Sequence, residues 1–223
     1  MKAMIVPLIV GLLAMGFAAP ALFAPGSTAA LRIRATEAMA PCAAAAARAF
    51  AATGGPRATL ETGDLDDATA DVLLGSGVEI TRALESGLGR DDSDVAIAEI
   101  PWVLVLADHA PAVSSLDEAV RAGLAVEVLA GPAAYEARRA LSSKTTRVHE
   151  SRDLAALRKA EAGLVPLSLA GAGRRIAVDV PALVAQAAVG ARAQSPEAAL
   201  RFVTFVGGDA GKRAFSECGV SGR

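Results

Sequence analysis

From residue 31 onward, short apolar runs alternate with longer stretches in which apolar positions recur at helical spacing. The pattern predicts a strand over 31–34, then an alanine-rich helix over 41–52, with Pro41 in its first turn and Gly54-Gly55 closing it. A short strand is expected over 57–61, a buried strand over 71–74 and a helix over 77–85 that stops at Gly87. A charged loop over 89–94 leads into a long strand region over 97–107 that contains Pro101. Ser115-Leu116-Asp117-Glu118 has the form of a capping box and opens a helix ending at Gly123. Next come a strand over 125–129, a helix from Gly131-Pro132 through Arg139, and a strand over 146–149. Ser151 caps a helix to Ala162, and strands follow over 164–169 and 176–180. Ser195 and Pro196 take the N-cap and N1 positions of a helix to about Val206, and Asp209 caps a last helix ending at Gly219. Phe202, Phe205 and Phe215 recur at helical spacing and read as core. This alternation predicts α/β layers with mostly parallel sheets.

The first 30 residues follow a different pattern. Lys2 is the sole charge before Arg32, and 3–24 is apolar or small throughout. A basic start, an apolar stretch and small residues near a cleavage point mark an export signal, with cleavage expected after Ala29 in preference to Ala21. An uncleaved anchor is the alternative, because 22 such residues just span ~30 Å of hydrocarbon. The mean hydropathy of +0.41 is explained in part by this segment. Lys2 lies within it, so the 22 basic residues fall to 21 beyond it, against 24 acidic ones.

The chain of 223 residues is 53% hydrophobic, which excludes disorder and allows a sizeable core. A net charge of −2 and only 4% aromatics argue against a nucleic-acid partner. The two cysteines, Cys42 and Cys218, read in an oxidising compartment either as a disulfide or as two unrelated buried thiols.

Chemistry is sparse. The chain has no G-x-S-x-G, phosphate loop, H-E-x-x-H or C-x-x-C. His109 and His149 lie among polar residues with no companion ligands and read as surface side chains. Asp91-Asp92-Ser93-Asp94 lacks the Gly and the Glu of a calcium loop. No catalytic set, metal site or cofactor is expected, and the chain does not read as an enzyme.

The carboxyl end carries the most specific signal. Residues 195–206, with Ser195-Pro196-Glu197-Ala198 and then Phe202 and Phe205, lead into Gly211, Phe215 and Gly219. This resembles the end of periplasmic solute-binding proteins of the molybdate-binding type. Residues 69–77 are similar to that family's "A-D-V-F-I-S-A" strand, 103–107 to its crossover strand, and 153–169 to its "G-E-A-D-A-G-I-V-Y" segment. The resemblance implies a two-lobed type II periplasmic-binding-protein fold with two crossover strands. Lobe I would comprise 31–101 and 182–223, and lobe II 102–181. A small polar ligand, with an oxyanion favoured, would bind between the lobes for delivery to an ABC transporter permease, and the chain would act as a monomer.

Carried over by position, the resemblance implies ligand contacts at Thr36, Glu37 and Ala38 in the first turn and at Thr62 and Gly63 in the second. It implies others at Ser76, at Gly131 and Ala133 where the lobe II helix starts, and at Ser168. The family's first-turn Ser falls on Ala38 and its Tyr on Pro166, so the site departs from the molybdate pattern. Glu37 and Asp64 would suit a cationic or neutral polar ligand, and the same fold could serve as a ligand-free sensory or interaction module.

Overall fold

The structure, a computed structural model, describes residues 30–145 and 147–218 and the backbone of 221–222. All but the last residue of the expected export signal lie outside the described residues. β1 (Leu31–Ala35) runs into α1 (Ala40–Ala52), and β2 (Ala58–Thr62) returns parallel beside it. β3 (Val72–Ser76) pairs with the other edge of β1 and continues directly into α2 (Gly77–Glu85). Every residue of β3 is buried, which explains why Val72, Leu73 and Leu74 follow one another without polar alternation.

The long apolar stretch predicted over 97–107 is two strands. β4 (Val95–Ile100) belongs to the first sheet, and β5 (Trp102–Leu106) opens the second. Pro101 between them cannot donate to a ladder, so pairing breaks there and the chain changes sheets. Then follow α3 (Leu116–Arg121), β6 (Val126–Leu129), a 3-10 turn over Pro132–Ala134, α4 (Tyr135–Ser142), β7 (Val148–Ser151) and α5 (Leu154–Lys159). β8 (Ala162–Pro166), a 3-10 turn over Leu167–Leu169 and β9 (Arg174–Ala177) complete the second sheet. β10 (Leu183–Val189) returns to the first sheet and is followed by α6 (Pro196–Gly207), α7 (Asp209–Ser216) and β11 (Ser221–Gly222).

The first sheet has the order β11-β4-β10-β3-β1-β2, the second β7-β6-β8-β5-β9. Both are mixed. The βαβ pairs are parallel, whereas β5 and β10, where the chain changes sheets, pair antiparallel with their neighbours. Sequence reasoning passed over β10, because its Ala185, Ala187 and Ala188 carry no strand preference of their own. Pairing on both edges decides its conformation. Its end also needs a glycine: a Cβ on Gly190 would lie 2.0 Å from the Ala70 carbonyl oxygen.

Two helix starts differ from expectation. Asp153, not Ser151, caps α5, its carboxylate accepting the Ala155 N–H at 2.8 Å. α7 follows Gly208 as its N-cap, with Asp209 as its first residue and no side-chain cap. Phe202 and Phe215 are buried, and Phe50 meets Phe202 edge to face at 5.2 Å. One apolar cluster runs through both sheets, and a smaller one lies under α2. Among the described residues, no helix is long and apolar enough to cross a membrane.

Candidate functional site

A cavity of about 610 Å³ opens between the lobes. Three turns build its walls. The first follows β1: the Thr36 N–H donates to the Leu74 carbonyl at 2.9 Å, and the Thr36 carbonyl accepts the N–H groups of Met39 and Ala40. Those bonds start α1 immediately, with Met39 as N-cap and no side chain capping it. Thr36, Glu37 and Ala38 therefore line the cavity at the amino end of a 13-residue helix. Thr36 is 7% exposed, and its Oγ1 is buried with no hydrogen-bond partner among the described residues.

The second wall is the turn after β2. Gly63 (φ 148°) donates its N–H to the Ala35 carbonyl at 3.0 Å, and Asp64, Leu65 and Asp66 continue along the cavity. The third faces them from lobe II. β6 ends at Leu129, Gly131 takes a φ of 129°, and the 3-10 turn over Pro132–Ala134 leads into α4, again without a side-chain cap. Side chains from α2 and its end, Glu79, Arg82, Ala83 and Ser86, close the side with Arg152 from lobe II.

Six of the nine residues expected at the ligand thus border one cavity: Thr36, Glu37, Ala38, Gly63, Gly131 and Ala133. The other three do other work. Thr62 is exposed at the end of β2 and does not line the cavity; the chain turns inward only at Gly63. Ser76 caps α2: its hydroxyl donates to Glu79 Oε2 at 2.8 Å and accepts the Glu79 N–H at 3.3 Å, so its proton is not free to be donated to a ligand. Ser168 donates its hydroxyl to the Ala38 carbonyl at 2.7 Å, tying lobe II to the back of the first turn.

The Ser168 bond yields a measurable consequence. A neutral hydrogen bond of this kind contributes about 0.5–1.5 kcal/mol. Ser168→Ala is expected to lower urea-unfolding stability by that amount, and an unchanged midpoint would show that the lobes are not joined there in solution.

Residues with no sequence signal complete the site. Leu65 and Asp66 extend the turn after β2, and Arg82, Ser86 and Arg152 border the cavity only because α2 and the end of β7 are brought beside it. The uncapped, proline-bearing start of α1 directly after a threonine was the one local sign available.

Of the six charged residues around the cavity, two carboxylates are engaged. Asp66 meets Arg34 at 3.5 Å, and Glu79 accepts the Ser76 N–H and hydroxyl. Asp66 is offset by Arg34, but Glu79 keeps its charge, so Glu37, Asp64 and Glu79 stand against Arg82 and Arg152 and the rim is slightly negative. Among the described residues no group of three or more His, Cys, Asp or Glu is placed to hold a metal ion. His109 and His149 are both exposed. His109 borders a second cavity of about 500 Å³ with Arg158 and Lys159, which none of the expected ligand residues lines.

No protein-family model and no curated protein sequence matches the chain. Solved structures do. The periplasmic molybdate-binding protein of Azotobacter vinelandii superposes with a TM-score of 0.71 at 15% identity, over 85% of this chain and 98% of that one. The sulfate-binding protein SubI of Mycobacterium tuberculosis H37Rv gives 0.68 at 15% identity over 86% of each chain. Iron-bound HitA of Pseudomonas aeruginosa gives 0.60 at 15% identity, over 86% of this chain and 85% of that one. Likeness at this identity shows the fold, the two-lobed type II periplasmic-binding-protein fold. Molybdate, sulfate and iron differ in the sign of their charge, so the ligand must be argued from the cleft itself.

Proposed function

We propose that the protein is an extracytoplasmic solute-binding protein that captures a small oxyanion, or a small molecule bearing one, between its lobes and delivers it to an ABC transporter permease. In this reading 31–101 and 182–223 form lobe I and 102–181 form lobe II. The chain works as a monomer, exported by its amino-terminal segment, and needs no cofactor.

The observation that carries this reading is the buried Thr36 hydroxyl, unpartnered at the cleft wall beside the start of α1. A buried hydroxyl without a hydrogen bond costs free energy, so a bound group that accepts from it is favoured. The surroundings contribute too. Helix starts border the cleft from both lobes, and the positive end of the helix dipole favours an anion there. Arg82 and Arg152 can offset the anion's charge, and neither forms a salt bridge among the described residues. Loss of the family's hydroxyls at Ala38 and Pro166 leaves a thinner donor set than the molybdate-binding pattern.

A thermal-shift screen tests the reading. At 100 times its Kd, a ligand stabilises the folded state by ~2.7 kcal/mol, which for a chain of this size moves Tm by roughly 5–10 °C. Such a shift is expected with molybdate, sulfate, phosphate or a small carboxylate. A shift with cations or amines alone would reverse the assigned charge of the ligand and bring Glu37 and Asp64 to the fore. No shift with any class would favour the same fold acting as a sensory or interaction module.

A further inference from the structure

The two cysteines lie 176 positions apart in sequence and meet in space. Cys42 is fully buried in the first turn of α1, and half-buried Cys218 follows α7, which packs along α1. Both are unbonded thiols, and each is the neighbour that most perturbs the other's ionisation. Cys218 packs against the same apolar cluster that buries Cys42, and its N–H is fixed by the Phe215 carbonyl at 3.1 Å. Of the two readings left open by the sequence, this contact removes the one in which the thiols sit at unrelated sites.

We propose that Cys42 and Cys218 close into a disulfide when the chain meets an oxidising compartment, with Cys218 as the entry thiol and Cys42 as the resolving one. The compartment rests on the extracytoplasmic reading above; the pairing rests on the geometry alone. Exposure sets the order of attack, since only Cys218 is reachable from solvent. The mutual perturbation acts the same way. It draws Cys218 below the usual thiol range, whereas the neighbouring Cys218 and then burial push Cys42 well above it.

The oxidant is an external disulfide, either a glutathione-type molecule or a disulfide oxidoreductase. The Cys218 thiolate attacks one of its sulfurs, forming a mixed disulfide and releasing the first donor thiolate. The Cys42 thiol then gives up its proton and attacks Cys218 Sγ, forming the Cys42–Cys218 bond and expelling the second donor thiol. The cysteines lose two electrons and the donor disulfide gains them. These are the only cysteines in the chain, so no intramolecular mispairing competes. The bond would tie the carboxyl end to the first turn of α1, whose start carries Thr36–Ala38 at the cleft.

The test takes the full chain, reduced and natively folded, into a mixed glutathione buffer, followed by acid quench, alkylation and intact-mass analysis. A monomer lighter by two hydrogens, with no alkylation and no glutathione adduct, is expected. Cys42→Ser should accumulate a stable glutathione adduct on Cys218, and Cys218→Ser should stay unmodified while folded. Persistent alkylation of both thiols, a stable adduct on the unmutated chain or an interchain dimer would overturn the pairing. An adduct on Cys42 in Cys218→Ser would overturn the order of attack. The same trapping on protein drawn directly from cells should show no free thiol before reductant is added. Free thiols there, in a chain that closes in the glutathione buffer, would count against the extracytoplasmic reading and leave the pairing standing.

Discussion

Replacing Asp71 with alanine is expected to lower the stability of the fold by roughly 3–5 kcal/mol, the cost of removing one member of a buried, hydrogen-bonded charge set. Asp71 is 1% exposed and holds together segments far apart in the chain. Its Oδ2 accepts the Arg32 backbone N–H at 2.8 Å and Arg32 Nε at 3.4 Å. Its Oδ1 accepts the N–H groups of Gln194 and Ser195 at 2.6 and 3.4 Å. Its own backbone joins the Arg32 carbonyl and the Gly190 N–H, both at 2.8 Å. One side chain thus links the start of β1 to the residues between β10 and α6, across the sheet where the chain re-enters lobe I.

Alanine would strand the N–H groups of Arg32 and Gln194 in the interior, where each costs about 1–3 kcal/mol. Arg32 is partly exposed and can turn to water, so the backbone donors carry most of the loss. Asp71→Asn keeps one acceptor and should cost less. Asp66→Ala, which removes an exposed carboxylate 3.5 Å from Arg34, should change stability by less than about 1 kcal/mol. Urea unfolding of the three variants measures this ranking. Equal small losses at positions 66 and 71 would refute the role given to Asp71.

The same carboxylate shows where reading the sequence stopped short. The buried strand around 71–74 was legible from its unbroken apolar run, as were α1, α6 and the two-layer pattern. What Asp71 bonds was not, because its partners lie 39 and 123 positions away. β10 was hidden for a related reason. A strand of alanines has its conformation set by neighbours on both edges, and those neighbours arrive from β3 and β4.

The cleft divides along the same line. Thr36–Ala38, Gly63 and Gly131 follow strand ends in a βαβ arrangement, and that placement can be read locally. Ser76 and Ser168 have internal partners that cannot be read from a hydroxyl's position in the sequence. Glu79 takes one, and the Ala38 carbonyl takes the other. Arg82 and Arg152 have no motif at all, since they lie on ordinary polar faces that lobe packing turns toward the cavity.

Thr36→Val is expected to separate binding from folding with effects of opposite sign. Valine keeps the branched shape of threonine at the end of β1 and removes only the hydroxyl. In the protein without ligand that hydroxyl is buried and unpartnered, so its loss should leave stability unchanged or raise it by about 1 kcal/mol. In the complex the hydroxyl would donate to a charged oxygen, and a hydrogen bond to a charged group contributes about 1.5–3 kcal/mol. At 1.4 kcal/mol per decade, affinity should fall by roughly 10- to 150-fold. Thr36→Ser restores the donor and should recover most of it. Calorimetric titration with sulfate and molybdate, beside urea unfolding of the same variants, reads both effects. A valine variant that binds as tightly as the unmodified chain would remove Thr36 from the ligand site. One that unfolds much more readily would show that the hydroxyl already has a structural partner in solution. Only a group held in reserve for a ligand gives weaker binding together with undiminished stability, and that joint result is the one the buried Thr36 oxygen predicts.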